Sequence, residues 1–216
     1  SLVCKAVKQT GRPCVYINLQ QVTSIEDFSA MIIKEVYRLY PWEKLKHMLA
    51  SLRIVPVISS TPTGDQLEVS FNPQIASSST FIEDALALLE KVSTPERKLI
   101  VVLDEFQELL EVEKNVDKRL RAIMQKQEGL NYIFLGSQES MMTDIFERPK
   151  SPFYHFGLLM RLEKIPYDDF LDFIRKRMMP VAKEHSEEIA KDILAFTGCH
   201  PYYTQQLSAR CWEIIQ

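Results

Sequence analysis

Asp104 and Glu105 stand side by side at the end of the most apolar run in the sequence, Leu99-Ile100-Val101-Val102-Leu103. Two adjacent carboxylates at a sheet edge suit phosphoryl transfer. One holds the waters around Mg2+ and the other orients or deprotonates an attacking water, because that barrier falls mainly through positioning and charge stabilisation. At the start of a helix the same pair also satisfies capping and the helix dipole alone. A second group adds weight to the chemical reading: a later run, Tyr132-Ile133-Phe134-Leu135, ends in Gly136-Ser137-Gln138. A residue sensing a terminal phosphate would stand there, beside the first strand end. The run Cys14-Val15-Tyr16-Ile17-Asn18-Leu19 also ends among polar residues, Asn18 and Gln20.

These groups can meet only if the three runs are neighbouring parallel strands, since open parallel sheets bind ligands at the carboxyl ends of their strands. None of the runs alternates, the pattern of a strand covered on both faces. The elements between them fit that plan. Leu2, Val3, Ala6 and Val7 repeat at helical spacing until Thr10-Gly11-Arg12-Pro13 ends the helix. Thr23 or Ser24, followed by Glu26 and Asp27, opens another, with Phe28, Ile32, Ile33, Val36 and Leu39 as its apolar stripe. Helices are expected over 42–52 and 81–92, through Phe106, Leu109, Leu110 and Val112, and over 116–126. Between residues 54 and about 79 the texture turns to Pro, Ser, Thr and alternating Leu67, Val69 and Phe71, which predicts an inserted β-hairpin arm turning near Pro62-Thr63-Gly64-Asp65. A fourth strand is expected over 158–162. After Pro166 only helical patterns remain, over 167–179, 186–196 and 201–215, so residues 166–216 are expected to form a helical subdomain behind an α/β core of residues 1–165.

Composition narrows the field. The 216 residues are 46% hydrophobic and 25% charged, ordinary for a folded chain. With 26 Lys+Arg against 29 Asp+Glu the net charge is -3, and no whole-protein field would draw in nucleic acid. Cys4, Cys14, Cys199 and Cys211 make no C-x-x-C pair and no compact zinc spacing. With no apolar stretch of membrane-spanning length and no leader pattern, a cytoplasmic protein with reduced thiols is expected. The six glycines, at 11, 64, 129, 136, 157 and 198, are too widely spaced for either G-x-G-x-x-G or G-x-x-x-x-G-K.

Taken together, the motifs resemble the prokaryotic P-loop ATPases of the AAA+ and STAND group, more narrowly the archaeal-type ATPases with an Asp-Glu-Phe-Gln signature. The resemblance rests on Val15-Tyr16-Ile17-Asn18-Leu19, Ile100 to Glu108, Phe134-Leu135-Gly136-Ser137-Gln138, Ser151-Pro152-Phe153-Tyr154 and Thr197-Gly198-Cys199-His200-Pro201-Tyr202-Tyr203. It implies an AAA+-like parallel sheet with a helical lid, and ATP with Mg2+ as ligands. By that resemblance Asp104 is the magnesium residue, Glu105 the catalytic base, Ser137 or Gln138 the γ-phosphate sensor, and His200 with Pro201 an adenine contact on the lid. Apart from the resemblance, Gly198-Cys199-His200-Pro201 reads as a helix C-cap followed by Pro at the first position of the next helix. The chain departs from the family in two places. The glycine-rich loop and its lysine are not among these residues; Ser1 matches the residue after that loop, or the loop's own magnesium-binding hydroxyl. His155-Phe156 also stands where many relatives place an arginine after Pro-x-Tyr, which leaves Arg148 as the candidate charge-neutralising arginine, against its simpler reading as a solvated helix-end residue.

The expected function is an ATP-binding module that hydrolyses ATP with Mg2+ in the intact protein, as a switch or motor. The alternatives are a non-catalytic scaffold whose arm, Trp42 and Tyr154 meet a protein partner or another copy, and an origin-recognition-like DNA-associated ATPase. The basic residues Lys114, Lys118, Arg119, Arg121 and Lys126 are the only cluster toward DNA, and such runs are commonly solvated faces.

Overall fold

The computed structural model describes residues 2–60, 67–71 and 77–216. Along the chain run α1 (Leu2–Gln9), β1 (Cys14–Asn18), α2 (Ile25–Leu39), α3 (Trp42–Ala50), β2 (Pro56–Ser60), β3 (Leu67–Phe71), α4 (Ser78–Val92), β4 (Leu99–Asp104), α5 (Phe106–Val112), α6 (Val116–Met124), β5 (Leu130–Phe134) and α7 (Glu139–Phe146). They are followed by α8 (Tyr167–Ala182), α9 (Ser186–Thr197) and α10 (Pro201–Ile215). The chain is α/β, and it divides into two compact units, Ser1–Leu158 and Leu159–Gln216.

In the first unit β1, β4 and β5 form a parallel sheet in the order β1-β4-β5. β4 is the middle strand, and its non-alternating sequence has a plain cause. Leu99, Val101 and Leu103 face one core, which includes Phe28, Ile32, Leu86 and Leu89 from α2 and α4. Ile100 and Val102 face the other way, onto Val7 of α1 with Cys14, Tyr16 and Ile133 around it. Successive side chains of a strand point to opposite faces, so cover on both faces requires an apolar residue at every position. Each such burial is worth about 1.5–3 kcal/mol relative to exposure, which is why the middle strand can spare only its last residue, Asp104, for polar work.

Helix signals in the sequence act as caps in the structure. Ser24 accepts the Asp27 N–H at 3.1 Å and Asp27 accepts from the Thr23 hydroxyl, while α4 begins three residues before the expected Phe81, with Ser77 accepting the Thr80 N–H. The arm is an antiparallel ladder of β2 and β3 with Pro56 opposite Phe71 and Ile58 opposite Val69. Its expected turn at residues 62–65 lies outside the described residues. Phe71 packs edge-on against Phe81 at 4.8 Å. Asp84 fastens the start of the arm by accepting the Arg53 and Ile54 N–H groups and the Arg53 guanidinium.

The expected strand over 158–162 does not form: those residues carry no secondary structure, and Leu158, Met160 and Leu162 are exposed. An apolar run becomes a strand only where a ladder partner lies beside it, and none does among the described residues. In the second unit Phe170, Ile174, Met178 and Ala182 repeat every fourth residue along α8 and pack on Ala190, Ile193 and Leu194 of α9, with Leu207 and Cys211 of α10 beside them. α8 runs past Met179 to include Pro180, and the short 3-10 turn Lys183–His185 links it to α9. No described helix is long and apolar enough to cross a membrane.

Candidate functional site

Parallel pairing brings the carboxyl ends of three strands to one edge. Asn18 lies opposite Asp104, and Leu103 lies opposite Phe134. The ladder continues one step further, with the Leu19 N–H on the Asp104 carbonyl and the Leu135 N–H on the Leu103 carbonyl, both at 2.9 Å. Asp104 therefore shares the face of Ile100 and Val102, the face on which Tyr16 also stands. The Tyr16 hydroxyl donates to Asp104 Oδ2, and the Glu105 N–H donates to Oδ1 at 3.2 Å. That hydrogen bond to Asp104, with burial and then repulsion from the carboxylate, pushes the Tyr16 phenol up to about 12.

Glu105 occupies the left-handed region at φ 55. A non-glycine residue there stores strain, held only where its neighbours allow no alternative. Its neighbours do hold it. Asp104 is bonded into the sheet on one side. On the other, Phe106 is fully buried against Phe134 at 4.6 Å and Phe153 at 5.3 Å, and its N–H donates to the Leu135 carbonyl at 2.9 Å.

The Glu105 side chain crosses to the next strand end. Its Oε2 accepts Gln107 Nε2 at 2.6 Å, the Ser137 hydroxyl at 3.0 Å and the Ser137 N–H at 3.3 Å. These donors, Gln107 first, hold the Glu105 carboxyl below the usual carboxylate range despite its partial burial. Gln107 is itself buried, with its Oε1 lacking a donor. At Gly136 an added Cβ would lie 2.7 Å from that oxygen and 2.5 Å from Met142 Sδ.

Asp104, Glu105 and Ser137 thus meet at one edge. Gln138 and Arg148 do not join them: Gln138 is exposed at the start of α7, where its carbonyl accepts the Met142 N–H, and Arg148 is exposed in the turn after α7. His200 and Pro201 belong to the second unit. His200 is the residue before α10, Pro201 is its first residue, and the His200 ring lies 4.7 Å from Tyr203. Gly198 ends α9 in the left-handed region at φ 57. Ser1 lies outside the described residues.

Tyr16, Gln107 and Gly136 lie within the runs that carry the resemblance, Gln107 as the last residue of the Asp-Glu-Phe-Gln signature, but the sequence assigned none of them a role. Tyr16 had a signal, since it stands an even step before Asn18 and so shares a face with the strand-end residues. Of the basic run, Arg119 pairs with Glu113 at 2.7 Å, and Arg121 donates to the Pro152 carbonyl at 3.0 Å while covering the Phe156 ring at 4.3 Å. Both are engaged in packing their own unit. A groove of about 470 Å3 between α4 and α6 is lined by Glu83, Glu90, Arg119 and Lys126 among others, and by none of the strand-end residues.

Among the described residues no group of three or more His, Cys, Asp or Glu is placed to hold a metal ion. Mg2+ on a nucleotide needs fewer, since it keeps waters and phosphate oxygens and takes one or two carboxylates. Asp104, anchored through one donor on each oxygen, retains lone pairs for that purpose. No protein-family model matches the chain, and no curated protein matches it.

Proposed function

We propose that the chain is the catalytic sheet and helical lid of an ATP hydrolase of the P-loop type, similar to the AAA+ and STAND ATPases. The observation that carries this reading is the meeting of Asp104, Glu105 and Ser137 at the carboxyl edge of adjacent parallel strands, with the Glu105 backbone held in a strained conformation. Strain at a residue fixed on both sides marks functional positions.

In this reading Asp104 holds the waters of Mg2+, which would neutralise charge on the phosphates. Glu105 accepts a proton from water as the water oxygen bonds to the γ-phosphorus and the bond to the ADP oxygen breaks. Ser137, bonded to Glu105, faces the γ-phosphate. A positioned general base contributes about 10²- to 10⁴-fold in rate. The reading requires a glycine-rich phosphate loop, which these 216 residues do not contain. It is therefore tested on the full-length protein. Glu105→Gln should keep ATP affinity within a few-fold and lose about 10²-fold or more in turnover; undiminished hydrolysis would remove the base assignment. Turnover by the 216 residues alone would place the site elsewhere.

A second reading, a scaffold that meets a protein partner, draws on the half-exposed Trp42 and Tyr154. Thermal unfolding of the full-length protein with and without Mg-ATP separates the two, since only the ATPase reading expects a shift.

A further inference from the structure

Glu105 is bonded unevenly. All three of its donors converge on Oε2, and no bond from a described residue reaches Oε1. Three donors hold Oε2 in place and leave Oε1 as the oxygen with lone pairs to offer. The donor at the shortest distance, Gln107, is an unusual choice for a buried position, the second residue of α5. Its Oε1 is buried without a donor, a cost that an apolar side chain of the same volume would not incur. Its Nε2 has one short bond, to Glu105; the next acceptor, Glu108 Oε1, is at 3.5 Å.

Gly136 belongs to the same device. Its backbone is not in the left-handed region, so chain conformation does not call for glycine there. Space bears on it instead: a Cβ would meet Gln107 Oε1 at 2.7 Å and Met142 Sδ at 2.5 Å, so the ends of those two side chains would have to shift. Leu135 and Ser137, on either side, are both bonded to the Asp104–Phe106 turn, so the backbone at 136 cannot back away freely.

We propose that Gln107 is a positioning residue, seated by the absence of a side chain at Gly136, that clamps Glu105 through Oε2 and leaves Oε1 as the oxygen that accepts from water. This rests on the ATP hydrolase reading for what Glu105 does, but the clamp is a property of these residues alone and is tested separately. In the 216-residue chain, the Gln107 side-chain amide protons should exchange with solvent at least about tenfold more slowly than those of exposed Gln138, and Glu105→Ala or Gly136→Ala should abolish the difference. Equal exchange rates in the wild-type chain overturn the clamp whatever the full-length protein does.

In the full-length protein, Gln107→Met, which keeps the volume, and Gly136→Ala, which displaces the amide, should each lower kcat for ATP about 10- to 100-fold with KM nearly unchanged. The double variant should lose no more than either single one, because both remove the same contact. Full kcat in Gln107→Met, with wild-type hydrolysis intact, overturns the positioning role and leaves the hydrolase reading standing. Absence of hydrolysis in the wild-type protein overturns the hydrolase reading, and with it the role of Oε1, even where the amide is protected.

Discussion

Removing the Asp84 carboxylate should cost the first unit about 3 kcal/mol, and the structure says where that comes from. Asp84 is 6% exposed and Ile54 1% exposed. The Ile54 N–H donates to Asp84 Oδ2 at 3.0 Å, so Asp84→Ala strands a buried donor, a loss of about 1–3 kcal/mol. The Arg53 guanidinium bonds Oδ1 at 2.9 and 2.7 Å, but its side chain is 58% exposed, so the ion pair adds only about 0.2–1 kcal/mol. At roughly 2–4 °C per kcal/mol for a unit of this size, the midpoint of thermal unfolding should fall about 6–12 °C. The assay is calorimetry, with amide exchange at Ile54 as a local readout. Arg53→Ala serves as the control, because the two backbone bonds to Asp84 survive it; it should stay within about 1 kcal/mol of wild type. Asp84→Ala within about 0.5 kcal/mol of wild type, or Arg53→Ala costing more than Asp84→Ala, would refute the assignment of the energy to the buried N–H.

Three further outcomes follow from the same reasoning. The Tyr132 hydroxyl donates to Gln127 Oε1 at 2.6 Å, and burial raises the phenol above its ordinary 10. A raised folded-state value means stability that is full below pH 10 and drains away as pH rises above it; Tyr132→Phe should lose about 1 kcal/mol at neutral pH yet flatten that alkaline decline in denaturant titrations. Tyr16→Phe should remove from the tyrosine absorbance titration the phenol near 12 and, with Asp104 untethered on one oxygen, cost about 1 kcal/mol by calorimetry. Gly198→Ala places a Cβ in the left-handed region at φ 57 and should lower the unfolding midpoint of the second unit by an amount equivalent to about 1 kcal/mol.

The strands that sequence pattern located best were those covered on both faces. Leu99 to Leu103 reads as a buried parallel strand because two separate cores each claim alternate residues, and that demand is written at every position. The helix start at Ser24 depends only on atoms a few residues away, whereas α4 starts at Ser78, inside what reads as the end of the inserted arm. The run at 158–162 shows the limit. Its apolar residues satisfy the same local pattern as β5, but pattern says nothing of whether a neighbouring strand exists to complete the ladder.

The candidate site divides in the same way. Asp104, Glu105 and Ser137 stood out because polar residues directly after apolar runs need no knowledge of distant contacts. Gln107 stood out only as the last residue of the Asp-Glu-Phe-Gln signature and Gly136 only as the glycine before Ser137, neither with a role, because what they do lies in a 2.6 Å bond from Gln107 to Glu105 and in space that a Cβ at 136 would fill. The sequence by itself determined which residues reach the sheet edge, since alternation and strand ends are local facts. Only the tertiary structure decided which of them touch. Glu105 leans toward Ser137, Asp104 toward Tyr16, and Gln138 and Arg148 toward solvent, because strand order and register, which no local pattern encodes, set those distances.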